Sequence, residues 1–292
     1  MTLTTIGKII AVMLLWAICF PLITIGIEYA PHMGFAAARA VISGFTLIFI
    51  AVILGRPFPK DPRVWIILSC IGFGATSLGF FGMFHAAEFV SPGIATVIAN
   101  TQPLLAGGIG VIVLRERLGL KACIGLIFGF LGILIIAMPK FILGTETNFS
   151  IGVFYILMAA LGVTASNVLI RKIASQVDPF MAMGFQLLIG SVPLIIYAAA
   201  TDELFSLRWT MEFTITLLTL SLLGTSLAYW IWMSVLKTIP LYRANTYSFL
   251  VPVFGILIGM LFFQELLAPY DLIGIAVAIS GVVLVSTRGT EP

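Results

Sequence analysis

A stretch of thirty residues is written twice in this chain. Pro103 to Gly132, PLLAGGIGVIVLRERLGLKACIGLIFGFLG, returns as Pro252 to Gly281, PVFGILIGMLFFQELLAPYDLIGIAVAISG. At a constant offset of 149 residues and with no gap, Pro103 matches Pro252, Gly110 matches Gly259, Glu116 matches Glu265, Gly125 matches Gly274 and Gly132 matches Gly281. Each copy holds an apolar run, a glutamate in a short break and a second, glycine-rich apolar run. Such a repeat requires whatever architecture the first half adopts to be adopted again by the second.

What that architecture is follows from the apolar runs. They are about 20 residues long, the length an α-helix needs to cross a hydrocarbon core of about 30 Å. With 61% of 292 residues hydrophobic and 9% charged, the chain lacks the polar surface of a water-soluble domain. The alternating segments of about ten residues that mark a membrane β-barrel do not occur. We count ten spans, near 6–27, 33–54, 64–85, 92–114, 119–138, 151–171, 179–200, 213–236, 242–263 and 269–287. Proline and charge punctuate the breaks, as at Arg56-Pro57-Phe58-Pro59-Lys60, Ser91-Pro92-Gly93 and Asp178-Pro179. The first run is too long for a signal peptide and no A-x-A site follows it, so it reads as a retained helix. Cys19, Cys70 and Cys123 lie within runs without C-x-x-C spacing, and we expect neither disulfide, metal nor cofactor.

Basic residues orient the spans. Twelve fall on the side of the N-terminus: Lys8, Arg56, Lys60, Arg63, Arg115, Arg117, Lys121, Arg171, Lys172, Lys237, Arg243 and Arg288. Only Lys140 and Arg208 fall on the other. Both termini are therefore expected in the cytoplasm. Five helices per repeat is an odd number, so the second copy enters the membrane from the opposite face. The expectation is an all-α membrane protein of ten transmembrane helices, built as two inverted five-helix repeats around a central cavity. Residues 1–140 form the first repeat, 141–150 a connecting loop and 151–292 the second. Inverted repeats with a midplane site suit alternating access.

These features carry a family resemblance. The proline of each fourth span, the glutamate closing it (Val113-Leu114-Arg115-Glu116-Arg117-Leu118 and Phe262-Phe263-Gln264-Glu265-Leu266-Leu267) and the G-x6-G fifth span resemble the EamA-type branch of the drug/metabolite transporter superfamily. Trp16 and Pro21 in the first span, and Pro31 and Arg39 in the second, fit the same pattern. The resemblance implies a bacterial plasma-membrane (inner-membrane) exporter of small metabolites, often amino acids.

Candidate site residues come from helical stripes. Thr96, Asn100, Pro103 and Gly107 share one face of the fourth span, and Asn245, Ser248 and Pro252 repeat the device in the ninth. Proline weakens both helices there and leaves carbonyls for other partners. Trp16, Phe81, His85, Tyr229 and Trp230 supply mid-span or span-end rings. With Asn100, Asn245 and Ser248 they form the expected solute site, aromatic and sparsely polar, suited to amphipathic solutes. The competing reading makes them packing and hydrogen-bonding groups between helices. Gly79, Gly82, Pro103 and Pro252 are expected hinges, and the pairs Gly255/Gly259 and Gly125/Gly129 expected close contacts. Arg39 is expected to snorkel outward, to pair with Glu28 or Glu88, or to meet a substrate carboxylate. Glu116 and Glu265 fall at opposite faces and are assigned to helix-end structure or gating.

Several functions are set aside. An enzyme needs a converging acid, base or metal cluster, and His32 and His85 with no mid-span carboxylate do not make one. A phosphate-bearing substrate calls for several core cations, and Arg39 is the one available. The missing carboxylate also points away from obligatory proton or sodium coupling. The partners are then a small-molecule substrate and membrane lipids, with no nucleic acid, and the oligomeric state is left open. A proton-coupled exporter is the alternative, with a channel or lipid scramblase behind it.

Overall fold

Helix starts are set by short polar caps and proline. Asp61 accepts from the amide of Arg63, Asp178 from those of Phe180 and Met181, and Thr210 from that of Phe213. Pro62 and Pro179 follow their caps in the first turn, where proline's missing N–H is harmless. The computed structural model describes residues 2–86, 88–89, 98–115, 118–143, 149–263 and 268–286. Among these residues every regular element is helical.

Six helices are long and apolar enough to cross a membrane. They are α1 (Leu3–Gly26), α2 (His32–Ile53), α3 (Pro62–Ala86), α6 (Phe149–Ile173), α7 (Pro179–Ala200) and α8 (Met211–Leu236). Between and after them lie α4 (Gln102–Leu114), α5 (Leu120–Leu143), α9 (Leu241–Thr246), α10 (Leu250–Phe263) and α11 (Pro269–Ser286). Their outward faces are strongly apolar, with Phe45, Phe49, Ile53, Ile66 and Ile196 each more than 60% exposed. An apolar surface of that extent is stable against lipid and unstable in water. The chain is a multi-pass membrane protein.

The ninth expected span is not one helix. A 3-10 turn, Tyr247–Phe249, separates α9 from α10. In the fourth, Asn100 and Thr101 form a turn before α4 begins at Gln102. The cause is common to both: Pro103 and Pro252 have no N–H to return to the carbonyls four residues back, those of Ala99 and Ser248.

Two helix pairs form the frame. In the first, α5 packs along α11 through glycine, where a Cβ on Gly281 would sit 2.4 Å from the nitrogen of Gly129 and one on Gly132 would sit 2.4 Å from that of Ala278. In the second, α2 packs along α7. Gly255, by contrast, faces open space and makes no close contact of the kind its spacing suggests.

The α2–α7 pair also touches two stretches of π-helix, Gly72–Leu78 within α3 and Leu220–Leu227 within α8. The wider winding is held by side chains: Thr225 donates to the carbonyl of Leu220 (3.0 Å) and Ser226 to that of Ser221 (2.9 Å), each five residues back. The two stretches bond across to the pair, one to α7 and the other to α2. From α3, Ser77 donates to the carbonyl of Gly190 in α7 (2.7 Å); from α8, Ser226 also lies 3.1 Å from the carbonyl of Ser43 in α2. Thr76 donates to Gln186 Oε1 (2.9 Å), and Arg39 Nε donates to Thr225 Oγ1 (2.8 Å).

Polar groups tie the two ends of the bundle. At one end Glu203 accepts from the amides of Met33 and Gly34 at the start of α2, and His32 lies 3.0 Å from Glu88. At the other, Arg56 lies 3.7 Å from Asp178 and Arg171 donates to the carbonyl of Leu236.

Candidate functional site

A cavity of about 130 Å³ opens where the broken helices meet the bundle. Its wall draws Trp16, Cys19 and Ile23 from α1, Arg39 from α2, Phe80, Met83 and Phe84 from α3, and Val163 from α6. Tyr229 comes from α8, and the two breaks give Ala99, Asn100, Gln102, Ser248 and Val251. Among the described residues no carboxylate belongs to this wall. A second pocket, about 360 Å³, lies at the ends of α4, α6 and α8 and is lined by Leu114, Arg171, Ala174, Ser175 and Lys237. It sits among helix ends, and no aromatic residue is among those lining it.

Arg39 is the dominant charge of the central cavity. It is 6% exposed, and its guanidinium donates to Thr225 and, over 3.6 Å, to the Cys19 sulfur, and stands 4.8 Å from the ring centre of Phe80. The alternatives of snorkelling and of pairing with Glu28 or Glu88 are corrected here. Glu28 is exposed and Glu88 is taken by His32, while Thr225 and the face of Phe80 hold the arginine inward. Among the described residues no carboxylate lies within ion-pairing distance of it.

The aromatic wall is built in layers. Trp16 meets Tyr229 edge to face at 6.5 Å and Trp232 at 5.2 Å. The Trp232 indole donates to Asn167 Oδ1 at 2.9 Å, which fixes the ring that backs Trp16. Such aromatic pairs are worth about 0.5–1.5 kcal/mol beyond buried area, enough to hold the wall's shape.

The structure brings together five of the residues singled out by stripe and charge: Trp16, Arg39, Asn100, Tyr229 and Ser248. Others stand elsewhere. Phe81 and His85 stack at 5.2 Å and pack with Tyr155, while Tyr197 meets Phe81, forming a separate cluster beside the wall. Phe84, one turn from Phe81, is on the wall itself. Trp230 stacks on Phe180 at 5.0 Å. Asn245 donates to the carbonyl of Leu241 and is 2% exposed, so it serves α9. Pro103 and Pro252 sit one residue beyond wall residues Gln102 and Val251. Gly82 is pressed against α6, where a Cβ would lie 2.4 Å from the Tyr155 carbonyl; Gly79 meets Val163 at 3.2 Å. These glycines permit close approach, and the departure from α-helix lies just upstream at Gly72–Leu78. Glu116, Glu265 and Thr96 lie outside the described residues.

Stripe reasoning missed Cys19, Phe80, Met83, Gln102 and the pair Asn167–Trp232. It also missed Thr76 and Thr225, although their signal was present: Thr76-Ser77-Leu78 recurs as Thr225-Ser226-Leu227 at the same offset of 149.

Fold and site define a helical, multi-pass membrane protein with a small, polar-edged aromatic cavity at the meeting of broken helices. The chain belongs to the EamA-like transporter family, whose model matches it twice, over residues 3–138 and 150–287. It is 28% identical over 259 residues to a chloroplastic WAT1-related protein of Arabidopsis thaliana, covering 86% of this chain and 62% of that longer protein. The uncharacterized transporter YvbV of Bacillus subtilis is 26% identical over 281 residues, 94% of this chain and 89% of that one. A probable amino-acid metabolite efflux pump of Salmonella typhimurium is 26% identical, covering 92% and 90%. A crystal structure at 19% identity superposes with a TM-score of 0.83 over 98% of this chain and 97% of its own, a likeness of fold. The chain is a transporter-family protein and not an enzyme.

Proposed function

We propose that this protein is a secondary transporter that exports small organic metabolites, with amino acids bearing aromatic or other apolar side chains first among them. It works by alternating access and without obligatory ion coupling. The observation that carries the reading is the cavity itself. Both family copies contribute to it, and it lies where two helices are interrupted beside proline, the arrangement carriers use to hold solutes near the midplane. The name of the Salmonella relative supports the solute class.

In this reading the six long helices, α4, α5, α9 with α10, and α11 are ten spans. Residues 1–140 and 151–292 are inverted repeats joined through 141–150. The reciprocal bonds of Thr76 with Gln186 and of Thr225 with Arg39 support it, because a pseudo-two-fold axis in the membrane plane pairs contacts in this way. The excess of lysine and arginine at one end supports cytoplasmic termini, and the membrane in this reading is the plasma (inner) membrane. The absence of a carboxylate among the described residues of the cavity wall supports transport down the solute gradient.

A panel of amino acids and toxic analogues, tested for resistance and efflux in expressing cells, reads out the cargo. In vesicles, transport is expected to continue when proton and sodium gradients are collapsed. Its disappearance under those conditions would establish the proton-coupled alternative.

A further inference from the structure

We infer that the cavity recognises a carboxylate, and that the carried solute is a carboxylate with an apolar or aromatic body seated on Arg39. This rests on the reading of the chain as a carrier. Two observations converge. The first is the guanidinium, buried to 6% exposure with no carboxylate in ion-pairing distance among the described residues. A charge so placed is costly in a membrane interior unless something of opposite sign offsets it. Its bonds to Thr225 and Cys19 use two of the five N–H donors that arginine carries, so the fork retains capacity for an anion.

The second is unspent hydrogen-bonding capacity at the two breaks. The hydroxyl of Ser248, on the wall, and that of Thr101, beside Asn100 and Gln102, are buried without a partner among the described residues. Hydroxyl groups donate to carboxylate oxygens, and a polar atom buried this way gains from a ligand that does so. With no acid among the described residues of the wall, a neutral solute leaves the guanidinium uncompensated, and an organic cation adds like charge. The rings of Trp16, Phe80, Phe84 and Tyr229 supply the surface for the apolar body.

The test compares 3-phenylpropanoate with its primary amide, a pair alike in shape and different in charge, by titration calorimetry on the purified full chain in detergent. The wild-type protein is expected to bind the acid at least about tenfold more tightly than the amide, the scale of a charge-assisted hydrogen bond. Arg39→Gln is expected to remove that preference by weakening the acid alone. Arg39→Lys, which keeps the charge without the fork, is expected to keep a smaller preference, and serves if the glutamine variant does not fold. Equal affinities in the wild type, or a preference that survives in Arg39→Gln, would overturn the inference. Preferential binding and counterflow of neutral or cationic solutes would overturn it too while leaving the carrier reading intact; no saturable counterflow of any solute class would instead sink the carrier reading.

Discussion

Arg39 and Gln186 hold matching places in the two halves and do different things. Each reaches from the α2–α7 pair to the threonine of a Thr-Ser-Leu triplet wound as π-helix, Arg39 to Thr225 and Gln186 to Thr76. Gln186 is fully buried and away from the cavity wall, while Arg39 is on it. The same cross-link is neutral and buried on one side, and charged and on the cavity wall on the other. In the proposed reading, this one residue difference is what turns a packing joint toward a solute.

The comparison breaks most severely at the frame. In Gly190→Leu a Cβ would lie 2.3 Å from the carbonyl of Gly72 and 2.6 Å from Thr76, so α7 has to separate from the π-helical stretch of α3. We expect little or no folded protein by size-exclusion after extraction; normal yield would show that this contact is dispensable. Next is Arg39→Gln, which makes the two joints alike. Transport of carboxylates should fall by about tenfold or more in kcat/KM, while thermal stability holds or rises as a costly buried charge is removed. A variant that loses stability and transport together would make Arg39 a structural residue.

Smaller effects fall on the neutral joint. Gln186→Leu strands the Thr76 hydroxyl and should lower stability by about 1 kcal/mol in detergent denaturation, the scale of interhelical polar contacts in membranes. Its acid-over-amide preference should equal that of the wild type. Smallest is Phe81→Leu in the filled cluster beside the wall. It should leave the half-saturation concentration unchanged, since its ring packs on His85, Tyr155 and Tyr197 and not on the wall. A large change in that concentration would extend the site to His85 and Tyr155.

Helical class and membrane setting were legible because hydrophobic run length is a direct consequence of bilayer thickness. The cavity was half legible. Asn100, Ser248, Trp16 and Tyr229 were found because proline and polar residues stand out in apolar helices. The wall could not be separated from the filled cluster by spacing, since Phe81 and Phe84 lie one turn apart yet face different neighbours. Both rings lie in the regular turns after the π-helical stretch, where Phe80, Met83 and Phe84 face the wall and Phe81 and His85 the cluster, two adjacent aromatic stripes that composition does not distinguish. Arg39's destination was open for another reason: its partners, Cys19, Phe80 and Thr225, come from three other helices, which no local pattern specifies.

Counterflow in proteoliposomes tests the central claim most directly, namely that this cavity loads and releases a solute in turn. With labelled 3-phenylpropanoate outside, unlabelled solute inside and ion gradients dissipated, the carrier reading requires a transient overshoot of label that saturates with concentration. In Arg39→Gln the overshoot should be lost. Flux that rises linearly with concentration, ignores solute on the far side and is the same in the variant would contradict it.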